Sequence, residues 1–232
     1  MVRNSFDKEL ENLQNLMVKM AGLVEDSIEN CIIALSKQDI ELAKQVFEND
    51  DIIDNLENRI EKLCLNLIAR QQPLAKDLRT ISTSLKIITD LERIADQAAD
   101  ISELTIRMAK IKYIQEFPDI PIMAGLAKKM VSKAIECYTK QDTNLAKEVC
   151  DSDDEVDDMF SKIVLELINA IKNSPETTEQ ATDFMFVVKY LERIGDHATN
   201  IAEWVVYNVT GSHEHLARTN EHNHFEFGGQ NV

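Results

Sequence analysis

An internal duplication constrains this chain more than any other feature of its sequence. The block "KQDIELAKQV" at residues 37–46 returns as "KQDTNLAKEV" at 140–149, and "LERIADQAADI" at 91–101 returns as "LERIGDHATNI" at 191–201. The first pair of blocks is offset by 103 residues and the second by 100, so three extra residues lie between the blocks of the first copy. Matching blocks in the same order predict two copies of one structural unit, with the extra residues near "RQQPLAKDLR".

The segment "EFPDIP" predicts the boundary between the copies, because Pro118 and Pro121 both disfavour a continuous helix. The first domain then covers 1–115 and the second covers 116–210. The remaining residues, 211–232, show no helical stripe, and we expect them to form a disordered tail.

Hydrophobic periodicity predicts an all-α protein made of two tandem, pseudo-symmetric three-helix bundles. Asp39 and Asp142 are in place to cap the second helix of each copy. The expected helices cover roughly 7–37, 40–71, 75–112, 121–139, 143–172 and 176–209. The core stripe of the third helix contains Ile87, Ile88, Leu91, Ile94, Ala95, Ala98 and Ile101. The stripe of the second helix contains Ile52, Leu56, Ile60, Leu63 and Leu67.

Charge and hydropathy restrict the function classes. The chain has 41 acidic and 25 basic residues, for a formal net charge of −16, which argues against nonspecific nucleic-acid binding. No apolar run approaches the roughly 20 residues of a membrane-spanning helix, and no segment resembles a signal peptide, so we expect a cytoplasmic protein without membrane insertion. The four cysteines form no CxxC pair and fit the apolar helical pattern as small core residues.

Acidic residues four positions apart recur at matching places in both copies. On a helix such residues lie on one face, where like charges repel by about 0.2–0.5 kcal/mol per pair. The pairs are Asp50 with Asp54, Glu92 with Asp96, Asp153 with Asp157, and Glu192 with Asp196. The row of the third helix continues to Asp100, whereas the matching position of the sixth helix is Asn200.

These acidic rows leave two interpretations open. A solvated helix face would simply keep the protein soluble. A cation site would explain why acids face acids in the same register in both copies, and carboxylate oxygens suit Mg, Ca, Mn or ferric iron. Arg93 and Arg193 beside the rows either orient a carboxylate or form ordinary surface ion pairs. His197 lies 100° around the helix from Asp196, and we expect it to be a surface residue rather than a ligand.

Four segments together carry a family resemblance. "LERIADQAADI", "YLERIGDHATNIAEW", "ENDDIIDNLE" and "RQQPLAKDLR" resemble the signature segments of the PhoU family of phosphate-specific transport accessory proteins, and the likeness extends to "YNVTG". It implies two repeated three-helix bundles and a regulator rather than an enzyme. Such a protein restrains phosphate uptake and the phosphate-starvation two-component response. The implied partners are the ATPase subunit of the phosphate ABC transporter and the phosphate sensor histidine kinase, at the inner face of the membrane. From the duplicated blocks and the paired apolar stripes we also expect a homodimer.

The resemblance also implies a metal cofactor. Some members bind multinuclear iron or zinc clusters through E(D)xxxD motifs, which correspond here to the four acid pairs, extended by Asp100. Iron is the first expectation, with Zn, Mg or Mn as alternatives. Asn200 replaces a charged ligand by an amide, so we expect the second site to be weaker or to take fewer ions.

Two other functions remain as alternatives. A di-metal carboxylate enzyme would present Glu-x-x-His motifs toward the bundle core, and the repeated motifs contain none. A metal-free helical scaffold or adaptor would use its acids only for solubility, and metal analysis would identify it.

Overall fold

Long helices account for the architecture. The computed structural model of the chain describes residues 2–113, 117–213 and 216, and within them every regular element is helical. The helices are α1 (Val2–Lys37), α2 (Ile40–Gln71), α3 (Ala75–Met108), α4 (Asp119–Lys140), α5 (Thr143–Asn173) and α6 (Thr178–Thr210). This confirms the expected all-α fold with two three-helix bundles. The predicted disordered tail, apart from residues 211–213 and 216, lies outside the described residues.

The repeated "KQD" sequence forms the same tight turn in both copies. Gln38 and Gln141 adopt left-handed backbone conformations, with φ of 53° and 54°, and so end α1 and α4. The carboxylates of Asp39 and Asp142 then accept hydrogen bonds from backbone N–H groups in the first turns of α2 and α5. Both caps are confirmed, and they explain why this block matches so closely between the copies.

The three extra residues of the first copy lie between its second and third helices, as expected. Residues 72–74 separate α2 from α3. In the second copy Ser174 alone separates α5 from a 3-10 turn at Pro175–Thr177, which leads directly into α6. The length difference is therefore absorbed in a turn and leaves the helices in register.

The end of α3 comes four residues before the expected position 112. Beyond Met108 the chain turns back, and the hydroxyl of Tyr113 donates to the carbonyl of Leu35 at 2.9 Å. The ring of Tyr113 packs edge-on against Phe184 with centroids 5.1 Å apart. Burial of this aromatic pair outweighs continuation of the helix.

The start of α4 also differs from the expectation, because Pro121 lies inside the helix. Pro118 is the cap residue and Asp119 begins the helix, which puts Pro121 in the first turn. Backbone N–H groups in a first turn have no partner within the helix, so a proline there costs no hydrogen bond.

One hydrophobic core runs through both copies. All seven residues of the predicted α3 stripe are buried in it. The predicted α2 stripe is wrong at Ile52, which is 52% exposed, whereas its neighbour Ile53 is 1% exposed and packs in the core. All four cysteines are buried and free, in agreement with the expectation that they are small core residues.

The seam between the copies is formed mainly by α3 and α6, which lie side by side. They run antiparallel, since Thr80 near the start of α3 contacts Asn208 near the end of α6, and Arg107 near the end of α3 pairs with Asp183 near the start of α6. The outer helices α2 and α5 flank this pair, and α1 contacts α4. Each copy thus buries one side of its third helix against the other copy.

Candidate cation-binding clusters

The two acid rows of each copy meet across neighbouring helices. In the first copy, carboxylates on α2 and α3 raise the pKa of carboxyl groups on the other helix through their charge. In the second copy, carboxylates on α5 and α6 do the same. We call the first group, Asp50, Asp54, Glu92 and Asp96, the first cluster. We call the second group, Asp153, Asp157, Glu192 and Asp196, the second cluster. The structure therefore brings together the eight acids that the sequence identified in pairs.

The two clusters contain equivalent acids that interact across the two helices of each copy. In the first copy the charge of Asp96 acts on Asp50 and on Asp54, and the charge of Asp54 acts on Glu92. In the second copy the charge of Asp196 acts on Asp153, and that of Glu192 acts on Asp157. The sequence offsets of 103 and 100 residues convert each first-copy pair into its second-copy counterpart.

Three carboxyl groups of the first cluster, those of Asp50, Asp54 and Glu92, have raised pKa values. Burial, followed by the charges of Asp96 and Asp54, raises the pKa of Asp50 to about 6. Burial, followed by the charge of Asp96, raises the pKa of Glu92 to about 7. The pKa of Asp54 is raised for the same two reasons. Confined negative charge of this kind is stabilised by protons or by cations.

Three oxygen atoms of the first cluster lack hydrogen-bond donors. Oδ1 of Asp50, Oδ1 of Asp54 and Oε2 of Glu92 are shielded from solvent, and none accepts a hydrogen bond. Arg93 Nε lies 3.4 Å from Glu92 Oε2, an ion-pair distance without the geometry of a hydrogen bond. A fully solvated face would leave no such atoms, and shielded oxygens without donors suit a hard cation.

The second cluster is equally crowded. Burial, followed by the charges of Asp157 and Asp196, raises the pKa of Asp153 to about 7. The pKa values of Asp157 and Asp196 are also raised, by burial first and then by Glu192. The helices α5 and α6 approach closely here, because a Cβ atom added at Gly195 would lie 3.3 Å from Oδ1 of Asp153.

The third positions of the rows, Asp100 and Asn200, lie toward the seam. Asp100 interacts with Tyr190 of α6 through a side-chain hydrogen bond, while its charge also acts on Asp50 of the first cluster. The Asn200 amide donates to Oδ1 of Asp90 on α3 at 3.3 Å. Asn200 thus contacts the other copy, and its contact is the counterpart of the one between Asp100 and Tyr190.

Two basic side chains beside the rows differ from each other in role. Arg93 donates to Asp96 at 3.1 Å, as the i, i+3 spacing suggested. The expectation of a surface position for His197 is wrong, because its ring is largely buried at the seam and its Nδ1 lies 2.9 Å from Asp90 Oδ1. Sequence spacing could not show this contact, since Asp90 lies more than a hundred residues away in the other copy.

A further pair of side chains lies beside each cluster, and the acid motifs do not include it. Glu57 and Thr89 lie beside the first cluster, and Thr89 Oγ1 donates to Glu57 Oε1 at 3.4 Å. Lys189 lies beside the second cluster and forms an ion pair with Glu192. At the offset of 100 residues, Lys189 of the second copy corresponds to Thr89 of the first, so the repeat itself carries this signal.

The acids are close together without forming a finished coordination shell. Among the residues that the structure describes, no group of three or more His, Cys, Asp or Glu side chains has an arrangement that could already hold a metal ion. The same residues include no helix with the length and apolar character needed to cross a membrane.

Known proteins match the chain over both copies. A family model described as "PhoU domain" matches residues 17–105 and again residues 120–205. A protein of Clostridium acetobutylicum named "phosphate-specific transport system accessory protein PhoU homolog" is 40% identical over 212 residues, which are 91% of this chain and 97% of that protein. A protein of the same name from Aquifex aeolicus is 39% identical over 217 residues, 92% of this chain and 98% of that protein.

Solved structures agree with the fold. The crystal structure of PhoU from Pseudomonas aeruginosa superposes with a TM-score of 0.86 at 34% identity, covering 89% of this chain and all of that one. The phosphate transport system regulatory protein PhoU from Streptococcus pneumoniae superposes with a TM-score of 0.84 at 26% identity, covering 90% of this chain and 99% of that one.

Proposed function

The chain belongs to the PhoU family, and we propose that it is a negative regulator of phosphate uptake and of the phosphate-starvation two-component response. The observation that carries this proposal is the match of both helical copies to the family model, and of most of the chain to proteins named as accessory to phosphate-specific transport. A solved relative is named a regulatory protein of phosphate transport. No relative considered above is named as an enzyme.

The proposed partners are the ATPase subunit of the phosphate ABC transporter and the phosphate sensor histidine kinase. The chain would act from the cytoplasm, as a homodimer, and reach the inner face of the membrane through these proteins. Its net charge of −16 disfavours direct binding to an anionic lipid surface. Sedimentation of the purified chain tests the dimer, and capture by each partner presented separately tests the two contacts.

Deletion of the gene tests the regulatory role. A reporter of phosphate starvation should stay on in phosphate-rich medium in the deletion strain, and a plasmid copy of this chain should switch it off again. Unchanged reporter output in the deletion strain would contradict the assignment. A plasmid copy with helix-interrupting prolines in α3 serves as the folding-defective control.

We further propose that the acid clusters bind a multinuclear metal cluster, with iron first and Zn, Mg or Mn as alternatives. The shielded oxygens of Asp50, Asp54 and Glu92 support this role, because they are hard acceptors without donors. Since these acids are not prearranged in a coordination shell, binding would require their side chains to shift toward a shared ion. The bound metal would supply positive charge that bridges α2 and α3.

Elemental analysis of untagged protein tests the metal role. The first cluster is neutralised by Glu92→Gln with Asp96→Asn, and the second by Glu192→Gln with Asp196→Asn. Neutralisation of a cluster should remove only the metal that this cluster binds, with the larger loss in the first-cluster variant. If the wild type binds none of the four metals, and both variants are more stable than wild type at every metal concentration, the chain is a metal-free helical scaffold.

A further inference from the structure

The two clusters differ in the layer of side chains that follows the acids. In the first copy this layer consists of Glu57 on α2 and Thr89 on α3. The equivalent residues of the second copy, by the offsets of 103 and 100, are Phe160 on α5 and Lys189 on α6. Lys189 Nζ lies 5.5 Å from the centroid of the Phe160 ring. The first copy thus has a carboxylate and a hydroxyl where the second has an aromatic ring and an ammonium group.

Lys189 interacts with the second cluster through its charge. Its ammonium group forms an ion pair with Glu192, whose side chain is largely buried. The same charge acts on Asp157 and Asp196, where it opposes the rise in the pKa of each carboxyl group. The charge of Lys189 therefore acts on three of the four acids of the second cluster. Its ammonium group also lies over the ring of Phe160 on α5, an arrangement that favours a cation–π interaction.

The unmet hydrogen-bond acceptors follow the same division. The first cluster contains three shielded oxygens without donors, on Asp50, Asp54 and Glu92. Within the part of the chain that the structure describes, no oxygen of the second cluster is in this state. Arg93 pairs with Asp96 of the first cluster at 3.1 Å, yet the three oxygens still lack donors. Among the described residues no ion pair joins Arg193 to an acid of the second cluster, so the arginines do not account for the difference.

We propose that Lys189 is a built-in cation that neutralises the second cluster, so that the first cluster alone is the metal site of this chain. This inference rests on the metal role proposed above. A metal ion entering the second cluster would have to displace the ammonium group of Lys189 or bind beside it against Coulomb repulsion. The first cluster has Thr89 at that position and gains negative charge from Glu57 and Asp100, which favours a cation of higher charge.

Exchange of the two residues tests the proposal directly. Lys189→Thr gives the second copy the residue of the first, and Thr89→Lys does the reverse. Lys133→Thr is the control, because Lys133 pairs with a single acid, Glu148 on α5, outside both clusters. Each protein is loaded with Fe²⁺ without oxygen, and separately with Mn²⁺, then desalted and analysed for metal per chain.

The wild type should keep its metal when Glu192 and Asp196 are neutralised, and lose it when Glu92 and Asp96 are neutralised. Lys189→Thr should bind additional metal, which neutralisation of the second cluster then removes. Thr89→Lys should weaken Mn²⁺ binding at least about tenfold, a change of about 1.4 kcal/mol. Equal metal loss from both neutralised variants, or no gain of metal in Lys189→Thr, would overturn the proposal.

Absence of metal from every variant would refute the proposed metal role. The neutralising role of Lys189 is then tested separately, by thermal unfolding. In metal-free buffer, Lys189→Thr should then lower the melting temperature more than Lys133→Thr does, because three crowded carboxylates lose their cation. Equal shifts of the two variants would refute the neutralising role as well.

Discussion

Nδ1 of His197 lies 2.9 Å from Oδ1 of Asp90, which ties a ring on α6 to a carboxylate on α3 across the seam between the copies. The two side chains are 18% and 13% exposed. Asn200 donates to the same oxygen, so one carboxylate of the first copy holds two side chains of the second. A carboxylate only accepts hydrogen bonds, and Nδ1 of the ring must therefore carry the hydrogen.

Removal of Asp90 should weaken the seam. Asp90→Ala leaves His197 and Asn200 without their acceptor, and we expect it to lower the free energy of unfolding by about 1.5–3 kcal/mol, the usual contribution of hydrogen bonds to a charged group. Urea unfolding of Asp90→Ala, His197→Ala and the double variant measures the coupling between the two residues. Strictly additive losses would show that this contact contributes nothing.

The ion pair at one end of the seam should also be important for stability. Asp183 is 7% exposed and is paired with Arg107. Arg107→Met leaves this carboxylate buried without a counter-charge, and we expect a loss of about 1–3 kcal/mol in urea unfolding. A second change, Asp183→Thr, should restore much of it, since the first copy has Thr83 at that position. No loss in the single variant, or no recovery in the double one, would contradict this account.

Two adjacent isoleucines of α2 provide a matched test of its register. Ile53→Ala removes a buried side chain and should cost about 2–5 kcal/mol, whereas Ile52→Ala should change stability by no more than about 0.5 kcal/mol. Thermal or urea unfolding of the two variants compares the same chemical change at neighbouring positions. Similar losses would mean that α2 is rotated relative to this structure.

The stability of the metal-free protein should rise as the pH falls from 7.5 to 5.5. The pKa values of Asp50, Glu92 and Asp153 are raised in the folded state to about 6, 7 and 7, above the ordinary values of 3.8 to 4.5. The folded state therefore binds more protons than the unfolded state in this range, and stability is lost as the pH rises through the folded pKa values. Urea midpoints at several pH values measure the slope.

The corresponding amide variants are the control for this pH dependence. A protein with Asp50→Asn, Glu92→Gln and Asp153→Asn should show a flatter profile, because the groups responsible no longer titrate. A wild-type protein that loses stability between pH 7.5 and 5.5 would contradict the prediction.

Removal of metal should lower the melting temperature of loaded protein at neutral pH. A ligand that binds only the folded state adds about 2.7 kcal/mol at a hundredfold excess over its Kd. Differential scanning calorimetry with Mn²⁺, before and after a chelator, measures this contribution. The variant with Glu92→Gln and Asp96→Asn should show no chelator effect, and an equal effect in this variant would place the stabilising ion elsewhere.

The helices and their pairing inside each copy could be predicted because they depend on local patterns and on the repeat. Asp39 and Asp142 identified two helix starts, and the changed offset identified the longer turn around Pro73. The ends of helices set by distant contacts were less predictable. For example, α3 ends at Met108, and Tyr113 beyond it packs against Phe184, a residue of the other copy.

The acid pairs of the clusters could be predicted because each pair lies within one turn of one helix. The contacts that modify them were less accessible, because they join helices whose neighbours a single sequence does not specify. His197 is an example, since its position at the seam depends on the antiparallel packing of α3 and α6. The difference at Lys189 could have been predicted from the repeat, because the corresponding residue of the first copy is Thr89. The acid motifs alone do not indicate it, since they contain no basic residue at that position.

The contact of Asp90 with Asn200 and that of Asp100 with Tyr190 are reciprocal, as the contacts of two identical subunits around a two-fold axis would be. In such a homodimer a single substitution changes the same residue in both subunits, and so changes both sides of the interface. Gene fusion removes that restriction, so a lysine at position 189 could arise while position 89 stayed a threonine. The two halves of this chain thus contact each other as two copies of one subunit would, although their sequences differ at the second cluster.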